Sequence, residues 1–308
     1  MIDRFGRPVT SLRVSVTKRC NLKCIYCHRE GEVRGVDREM SPAEVKQIVE
    51  IAAYFGIRRV KITGGEPLLR SDICELVSSI KGTPHIEEVS MTTNGTLLAD
   101  FALDLRRAGL SRVNVGFSSL RAETYHKITG ENRVEDVKRG LVAATEAGLT
   151  PIKINMVVLR GLNESEVWDM IDFTSERSYI LQLIELERQG IAVGDFERFY
   201  VSLGVLEEQL RRLSRQVEFR DLHNRRIFHL DGKSSKVELV RPFHSSDFCK
   251  NCTRMRLTSN GELKPCLMRN DNLVDILTLI REGRPEVELR RAFETAVLRR
   301  KPYYLADK

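Results

Sequence analysis

The chain has 308 residues, of which 42% are hydrophobic and 30% are charged, and its formal net charge is +7. It contains no run of about 18 apolar residues, and its N-terminus has no apolar leader segment. We therefore expect no membrane association and no secretion, and we predict a cytoplasmic protein. Aromatic residues make up only 6% and no basic run is interleaved with them, which argues against a nucleic-acid partner. The basic balance fits an ordinary mixed charged surface, and it also fits a phosphorylated small substrate.

Alternating strands and helices are predicted over the first 190 residues. Strands are expected at 11–17, 59–63, 88–92, 112–117, 152–159 and 179–186, with helices at 42–55, 71–81, 97–108, 121–147 and 163–176. Ser41, Pro42 and Glu44 form a capping pattern for the first helix, and Gly56 is placed to end it. Six β-then-α units imply parallel strands with right-handed crossovers, whereas a closed barrel needs eight. The predicted fold class is therefore α/β, a partial (βα)6 TIM-like barrel with its chemistry at the carboxyl ends of the strands.

The pattern changes after residue 190. A charged helical segment over 195–214 precedes β-like runs at 216–220, 226–230 and 236–240, and a hairpin is expected to turn at Asn260-Gly261. Two terminal helices are expected to follow. We predict two domains, a barrel over 1–190 and a smaller C-terminal region over 191–308 that packs on the barrel.

Six of the seven cysteines fall into two groups of three. The first triad is Cys20, Cys24 and Cys27, spaced C-x3-C-x2-C, and the second triad is Cys249, Cys252 and Cys266. In a reducing compartment such groups indicate metal binding rather than disulfides. One interpretation is a pair of Cys3His zinc sites completed by His28 and His244. The other is a pair of [4Fe–4S] clusters, each with three thiolate ligands and one iron left open for a small molecule.

Further motifs point to a known family. Tyr26 stands immediately before the last cysteine of the first triad, and Gly64-Gly65-Glu66-Pro67 follows the second predicted strand. Together with the C-x3-C-x2-C spacing and the six βα units, these motifs resemble the radical S-adenosylmethionine (SAM) superfamily. The lead-in Leu12–Thr17, the second triad and the segment Thr253–Arg256 resemble more narrowly the GTP 3′,8-cyclase family, in particular its archaeal-type members. That family begins molybdenum cofactor biosynthesis.

The resemblance implies a role for the first triad and its neighbours. The three thiolates would hold a [4Fe–4S] cluster whose open iron binds SAM, and reductive cleavage of SAM would give a 5′-deoxyadenosyl radical. The implied SAM contacts are Tyr26, Gly64, Gly65, Glu66 and Gly116. Glycine lets the backbone approach a ligand closely, which suits Gly64 and Gly65.

The resemblance also implies how GTP is bound and changed. The second triad would hold a second [4Fe–4S] cluster, whose open iron binds guanine. The implied GTP contacts are Arg13, Lys61, Thr92, Lys153, Arg254 and Arg256, and most of them are cations suited to a triphosphate. The radical would take hydrogen from ribose C3′, and the C3′ radical would attack guanine C8 to give 3′,8-cyclo-7,8-dihydro-GTP. The implied partners are a reductant protein and the next enzyme of the molybdopterin pathway, and a homodimer is left open.

The chain departs from the family pattern at several positions. Gly116 stands where a SAM-contacting serine is usual, Gln182 where strand six often carries arginine, and Glu187 where a SAM-contacting methionine is usual. The C-terminus, Lys301–Lys308, lacks the Gly-Gly tail of many members. The enzymatic alternative is a radical SAM peptide- or protein-modifying enzyme with an auxiliary cluster. The non-enzymatic alternative is a zinc-stabilised binding protein.

Overall fold

The computed structural model describes residues 1–32, 38–241 and 246–303. Its strands, numbered along the chain, are β1 Ser11–Ser15, β2 Arg59–Thr63, β3 Glu88–Thr93, β4 Arg112–Gly116, β5 Lys153–Val158, β6 Ile180–Glu185, β7 Ser214–Arg220, β8 Arg225–Leu230, β9 Lys236–Val240, β10 Arg254–Leu257, β11 Glu262–Lys264 and β12 Val274–Asp275. Its helices are α1 Pro42–Tyr54, α2 Ile73–Lys81, α3 Leu98–Arg107, α4 Ala122–Thr129, α5 Val134–Glu146, α6 Val167–Glu176, α7 Val193–Phe199, α8 Gly204–Arg212, α9 Ser246–Lys250, α10 Leu277–Arg281 and α11 Glu286–Leu298. None of the helices in these ranges combines the length and the apolar character that crossing a membrane requires.

Strands β1 to β6 lie side by side in sequence order, and neighbouring pairs are parallel. One set of alternate side chains, such as Leu12, Val14 and Ile62, is apolar and fully buried in the core. The other set is largely polar, with Arg13 and Lys61 on the barrel's inner side. Closed eight-stranded barrels fill their interior with branched apolar side chains. The polar interior therefore marks this partial barrel, whose predicted architecture is confirmed, as a ligand-binding one.

Local signals account for the ends of several elements. Ser41 and Glu44 form the predicted capping box of α1, and Gly56 ends that region with a φ of 91°. The single helix predicted over 195–214 is wrong, because α7 and α8 are separate. The chain is extended at Tyr200, between the two helices, where the Tyr200 hydroxyl and the Leu203 N–H donate to the buried carboxylate of Glu185. This tertiary anchor overrides the helical pattern.

The C-terminal region extends the barrel sheet at both edges. Strand β10 pairs in parallel with β1, and β9 pairs in parallel with β6, giving the order β12-β11-β10-β1-β2-β3-β4-β5-β6-β9-β8-β7. The predicted hairpin is confirmed, since β10 and β11 are antiparallel and Gly261 in the turn has a φ of 80°. One sheet thus runs through both predicted domains, and the boundary at residue 190 stays a prediction.

The strand register places the two triads at opposite ends of β1. The first triad follows the carboxyl end of β1 in sequence. Ser11, at the start of β1, pairs with Arg254, so the second triad's Cys252 precedes the neighbouring end of β10. Four residue intervals of about 3.3 Å, roughly 13 Å, separate the two ends of β1. The barrel interior lies between the triads.

Candidate active site between the two cysteine triads

A cavity of about 650 Å³ occupies the polar interior of the barrel. All the predicted GTP contacts line it, namely Arg13, Lys61, Thr92, Lys153, Arg254 and Arg256. The three cysteines of the second triad also line it. Ten arginine and lysine residues but only four aspartate and glutamate residues stand on its described wall. This surplus of positive charge favours an anionic ligand.

The first triad lies beyond the carboxyl rim of the barrel, outside the cavity lining. Cys20 and Cys27 are exposed, and Cys24 is half-buried. Burial, reinforced by the Cys27 and Cys20 charges, raises the pKa of the Cys24 thiol to about 12. Thiolates this close repel one another, and it is the thiolate that binds metal. A cationic iron–sulfur core would relieve the repulsion, so the donor set fits such a group.

The Gly64-Gly65 segment packs directly against the start of the cysteine loop. The Gly65 N–H donates to the Thr17 carbonyl at 2.7 Å, and the Glu66 N–H donates to the Arg19 carbonyl at 2.7 Å. A Cβ on Gly65 would stand 2.1 Å from that Arg19 oxygen. The two loops predicted to form the SAM site are therefore joined backbone to backbone, at a distance that only glycine permits.

Glu66 ties a third loop to this pair. It is fully buried, and it accepts hydrogen bonds from the Thr93 hydroxyl at 2.7 Å and the Asn94 N–H at 2.6 Å. The Asn94 amide in turn reaches Cys20 Sγ at 3.9 Å. Burial raises the pKa of the Glu66 carboxyl to about 7. A ligand ammonium group beside Glu66 would favour its charged form, as the predicted SAM contact requires.

Tyr26 and the loop after β4 meet on the same rim. The Tyr26 hydroxyl and the Ser118 hydroxyl lie 2.8 Å apart. Gly116, where the family usually has serine, leaves open space, since a Cβ there would meet only the Thr93 carbonyl oxygen at 3.8 Å. Ser118, two residues further along, is the hydroxyl that this chain brings to Tyr26.

We expect Gly65→Ala to lower the thermal stability and to weaken SAM binding. The added methyl group has no space against the Arg19 carbonyl, and such overpacking costs about 1–3 kcal/mol. Gly194→Ala is the matched control, because a Cβ on Gly194 in α7 meets nothing within 4 Å. Thermal unfolding and calorimetric SAM titration of both variants test this. A wild-type melting temperature and a wild-type SAM affinity in Gly65→Ala would contradict this prediction.

The second triad gathers at the amino end of β10. The Cys252 N–H donates to the Cys249 carbonyl at 3.2 Å. Burial raises the pKa of the Cys266 thiol, and the Cys252 and Cys249 charges add to the effect. Burial also acts to raise the pKa of the Cys252 thiol, but the nearby Arg300, Arg254 and Arg256 cations outweigh it and lower that pKa. The site therefore favours thiolate at Cys252.

The zinc interpretation needs three thiolates and a histidine close together around one ion. Within residues 1–32, 38–241 and 246–303, no group of three or more His, Cys, Asp or Glu residues is arranged to hold a metal ion. Thiolates on one zinc ion stand about 3.8 Å apart, given Zn–S bonds of about 2.3 Å in a tetrahedron. A four-iron cluster spaces its thiolates more widely, because each binds a different iron. His28 lies on the cavity wall, and His244 lies outside the described residues.

Two of the predicted GTP contacts are bridged by a carboxylate that the sequence did not single out. Glu30 lies 3.4 Å from Arg13 and 2.9 Å from Arg256. Although burial opposes it, the Arg13 and Arg256 cations lower the pKa of Glu30 to about 2. Glu30 therefore stays ionised between the two guanidinium groups and holds them at one point of the wall.

A polar chain crosses the barrel interior from β2 to β9. Lys61 Nζ donates to Asn114 at 2.9 Å, Asn114 donates to Gln182 at 3.2 Å, and Gln182 donates to Glu238. Lys153 also pairs with Glu238, at 2.7 Å. Burial and the surrounding cations lower the pKa of Lys61 well below its usual value. Gln182, where the family often has arginine, is thus a neutral link between two lysines.

Arg254 differs from the other predicted contacts. In the described ranges it has neither an ion pair nor a side-chain hydrogen bond. Burial and the neighbouring Arg13, Arg225 and Arg256 cations lower its pKa well below the usual value. The Cys252 thiolate opposes this shift but is outweighed by the three arginines, so the guanidinium suits a further anion supplied by a ligand.

Two family models match the chain in succession. The radical SAM superfamily model matches residues 14–174, more than half of the chain, and the Molybdenum Cofactor Synthesis C model matches residues 179–306. The "Probable GTP 3',8-cyclase" of Pyrococcus horikoshii is 46% identical over 100% of this chain and 99% of its own length. Proteins of the same name from Methanothermobacter marburgensis and Archaeoglobus fulgidus are 45% and 42% identical, over 98% of each chain. The chain belongs to the GTP 3′,8-cyclase family. The predicted family is thereby confirmed, and this family uses SAM and two [4Fe–4S] clusters.

The fold of this cyclase-family chain is similar to that of solved structures. Streptococcus suis SuiB bound to S-adenosylmethionine has a TM-score of 0.66 and 17% identity, and the match covers 96% of this chain and 72% of SuiB. The protein anSMEcpe with bound AdoMet has a TM-score of 0.58 and 18% identity, over 86% and 76% of the two chains. At such identities the likeness concerns the radical SAM fold alone.

Several charged residues that line the cavity of this cyclase-family chain were not predicted from the sequence. Glu30, Arg112, Arg220 and Arg225 line the cavity beside the predicted contacts. Arg220 and Arg225 also pair with Glu238, at 3.3 and 3.4 Å. No local pattern marks Arg225, which is followed by Arg226 at the start of β8, and none marks Glu30. The tail beyond residue 303 lies outside the described residues.

Proposed function

We propose that the protein catalyses the 3′,8-cyclisation of GTP, with SAM bound at the first triad and GTP in the barrel cavity. One observation carries the proposal: a cation-lined cavity has the second triad in its wall and reaches His28, the residue after the first triad, in a chain whose full-length relatives are named as GTP cyclases. Each triad supplies three thiolates, so each would hold a [4Fe–4S] cluster with one iron open.

The chain's own residues bind and orient the two substrates. The SAM position on the rim is surrounded by Tyr26, Gly64, Gly65, Glu66 and the backbone at Gly116. Glu66 would receive the SAM amino group, and Tyr26 would lie beside the adenine. The cluster held by Cys20, Cys24 and Cys27 would supply the electron that cleaves SAM, and the resulting radical would remove the C3′ hydrogen of GTP.

The cavity walls hold the nucleotide between the triads. Arg254 and Arg256, which follow Cys252 on β10, suit bidentate contacts to phosphate oxygens. Lys61 and Lys153 act as point charges, and Thr92 offers a hydroxyl. Guanine would face the second triad at the opposite end of β1, which orients ribose C3′ toward the rim.

We further propose the cellular setting that this chemistry needs. The enzyme would be cytoplasmic and would take electrons from a reductant protein. Its product would pass to the next enzyme of molybdopterin synthesis. Homodimer formation stays a prediction.

Deuterium transfer tests the proposed reaction. We expect protein with reconstituted clusters, given SAM, dithionite and GTP deuterated at C3′, to form 5′-deoxyadenosine that carries the deuterium, together with a cyclised product. Mass spectrometry measures both, and GTP deuterated at C2′ is the control. If 5′-deoxyadenosine forms without label and without a cyclised nucleotide, the substrate assignment is wrong, and the peptide-modifying alternative becomes the one to test.

A further inference from the structure

An ion-paired group, one member of which (Arg7) also lines the cavity, connects residues near both ends of the chain to the second triad. It consists of Asp3, Arg7 and Arg300, which we call the terminal clamp. The three side chains are almost completely buried, and Arg300 is only 1% exposed. Buried charges of this kind are expensive, so they persist only where they are paired and hydrogen-bonded.

The clamp is held together by one carboxylate. Asp3 Oδ2 lies 2.8 Å from Arg7 Nε and 3.0 Å from Arg300 Nη1. Its other oxygen accepts the Phe5 and Arg7 N–H groups at 2.9 and 3.0 Å. Arg300 Nη1 also donates to the Arg7 carbonyl at 3.1 Å. Two cations on one anion leave the clamp with a net positive charge.

Both arginines extend to the backbone of the second triad. Arg7 Nη1 donates to the Cys249 carbonyl at 3.1 Å, and Arg300 Nη2 donates to the Cys252 carbonyl. Two of the three cysteines are thus fixed through their own peptide groups. Arg300 follows α11, so this contact also docks the C-terminal helix beside the site.

One donor of the clamp lacks an acceptor within the described part of the chain. Arg300 Nε is buried and finds no hydrogen-bond partner among the described residues. Buried donors without partners are rare in folded proteins and call for an explanation. A group that the polypeptide does not supply, such as a cluster sulfide or a cysteine sulfur bound to iron, would provide the acceptor.

We propose that the terminal clamp positions the second cluster by fixing the Cys249–Cys252 loop. The net positive charge of the clamp also raises the reduction potential of that cluster. Potentials of iron–sulfur clusters depend on nearby charge and on hydrogen bonds to sulfur. Positive charge favours the more negative, reduced state. This inference rests on the proposed assignment of the second triad.

The test isolates the second cluster. The parent protein carries serine at Cys20, Cys24 and Cys27, so iron can be held only by the second triad. Iron per chain, the rate of iron loss to a chelator, and the midpoint potential followed by electron paramagnetic resonance are measured after anaerobic preparation. Arg300→Met, Arg300→Lys and Asp3→Asn are compared with this parent.

Opposite shifts in potential are the expected result. Arg300→Met removes a positive charge and lowers the potential, whereas Asp3→Asn removes a negative charge and raises it. Arg300→Lys keeps the charge and stays near the parent potential, but it loses iron several-fold faster because an ammonium cannot reproduce the planar fork. A merely structural role would speed iron loss in every variant without opposite shifts in potential.

Arg70→Lys is the matched control. Arg70 is also buried and also donates to two backbone carbonyls, those of Val16 and Met40, but it lies in the barrel half of the chain. The Arg70→Lys variant should leave the reduction potential and the iron retention of the second cluster unchanged. If Arg300→Met does not fold, Arg300→Lys and Asp3→Asn carry the test.

The outcomes separate this inference from the proposed function. A parent that binds no iron would overturn the assignment of the second triad, and this inference with it. A parent that binds iron, with unchanged potential and iron retention in the folded Arg300 and Asp3 variants, would overturn the inference alone.

Discussion

Replacing Cys249, Cys252 and Cys266 together with serine is expected to abolish the cyclised GTP product while 5′-deoxyadenosine is still formed. The first triad and the loops proposed to bind SAM lie beyond the carboxyl end of β1, whereas the second triad lies near its amino end. About 13 Å of strand separates these ends, so the first site should assemble without the second. GTP, however, would lose its guanine anchor.

Iron analysis and product analysis measure this division of labour. Iron should fall from about eight to about four per chain, since each cluster holds four. Cys74→Ser is the matched control because Cys74 lies in α2, outside both triads, and it should keep both clusters and full cyclisation. Serine replacement of the first triad should instead abolish both products. Cyclised nucleotide from the variant without the second triad would refute its assigned role.

The barrel was predictable because its signals are local. The apolar alternation of each strand, the Ser41–Glu44 capping box and the Gly56 stop are all encoded within a few residues. The cysteine spacing and Gly64-Gly65 were readable for the same reason. Contacts between elements limited the prediction elsewhere, as when Glu185 interrupts the helix predicted over 195–214.

The remainder of the site depends on pairings between distant parts of the chain. Glu238 meets Lys153 and Gln182 only because β9 pairs with β6, and Arg254 enters the cavity only because β10 pairs with β1. No pattern of residue spacing in the sequence predicts either of these parallel strand pairings. Glu30 sits in a short loop and is singled out only by the Arg13 and Arg256 side chains around it. The ion pairs inside the cavity therefore could not be predicted from the sequence and became evident only in the structure.

Arg254 and Arg256 give the second large effect, because they differ in what they contact. They lie two residues apart on β10 and both line the cavity, but among the residues that the structure describes only Arg256 has a carboxylate partner, Glu30 at 2.9 Å. We expect either Arg→Met replacement to weaken GTP binding substantially. Truncating one side of a buried, hydrogen-bonded charge pair typically costs about 2–5 kcal/mol, which corresponds to roughly 30-fold or more in affinity.

The two variants should affect the stability of the GTP-free protein in opposite directions. Arg254→Met removes a cation that Arg13, Arg225 and Arg256 together repel more strongly than the Cys252 thiolate attracts it, so the melting temperature should rise. Arg256→Met removes one of the two cations that hold Glu30 ionised, so the melting temperature should fall. Calorimetric GTP titration without SAM and thermal unfolding measure the two effects, with exposed Arg107→Met as the control. Equal destabilisation by Arg254→Met and Arg256→Met would mean that Arg254 is already neutralised before GTP binds, so that its charge is not reserved for the triphosphate.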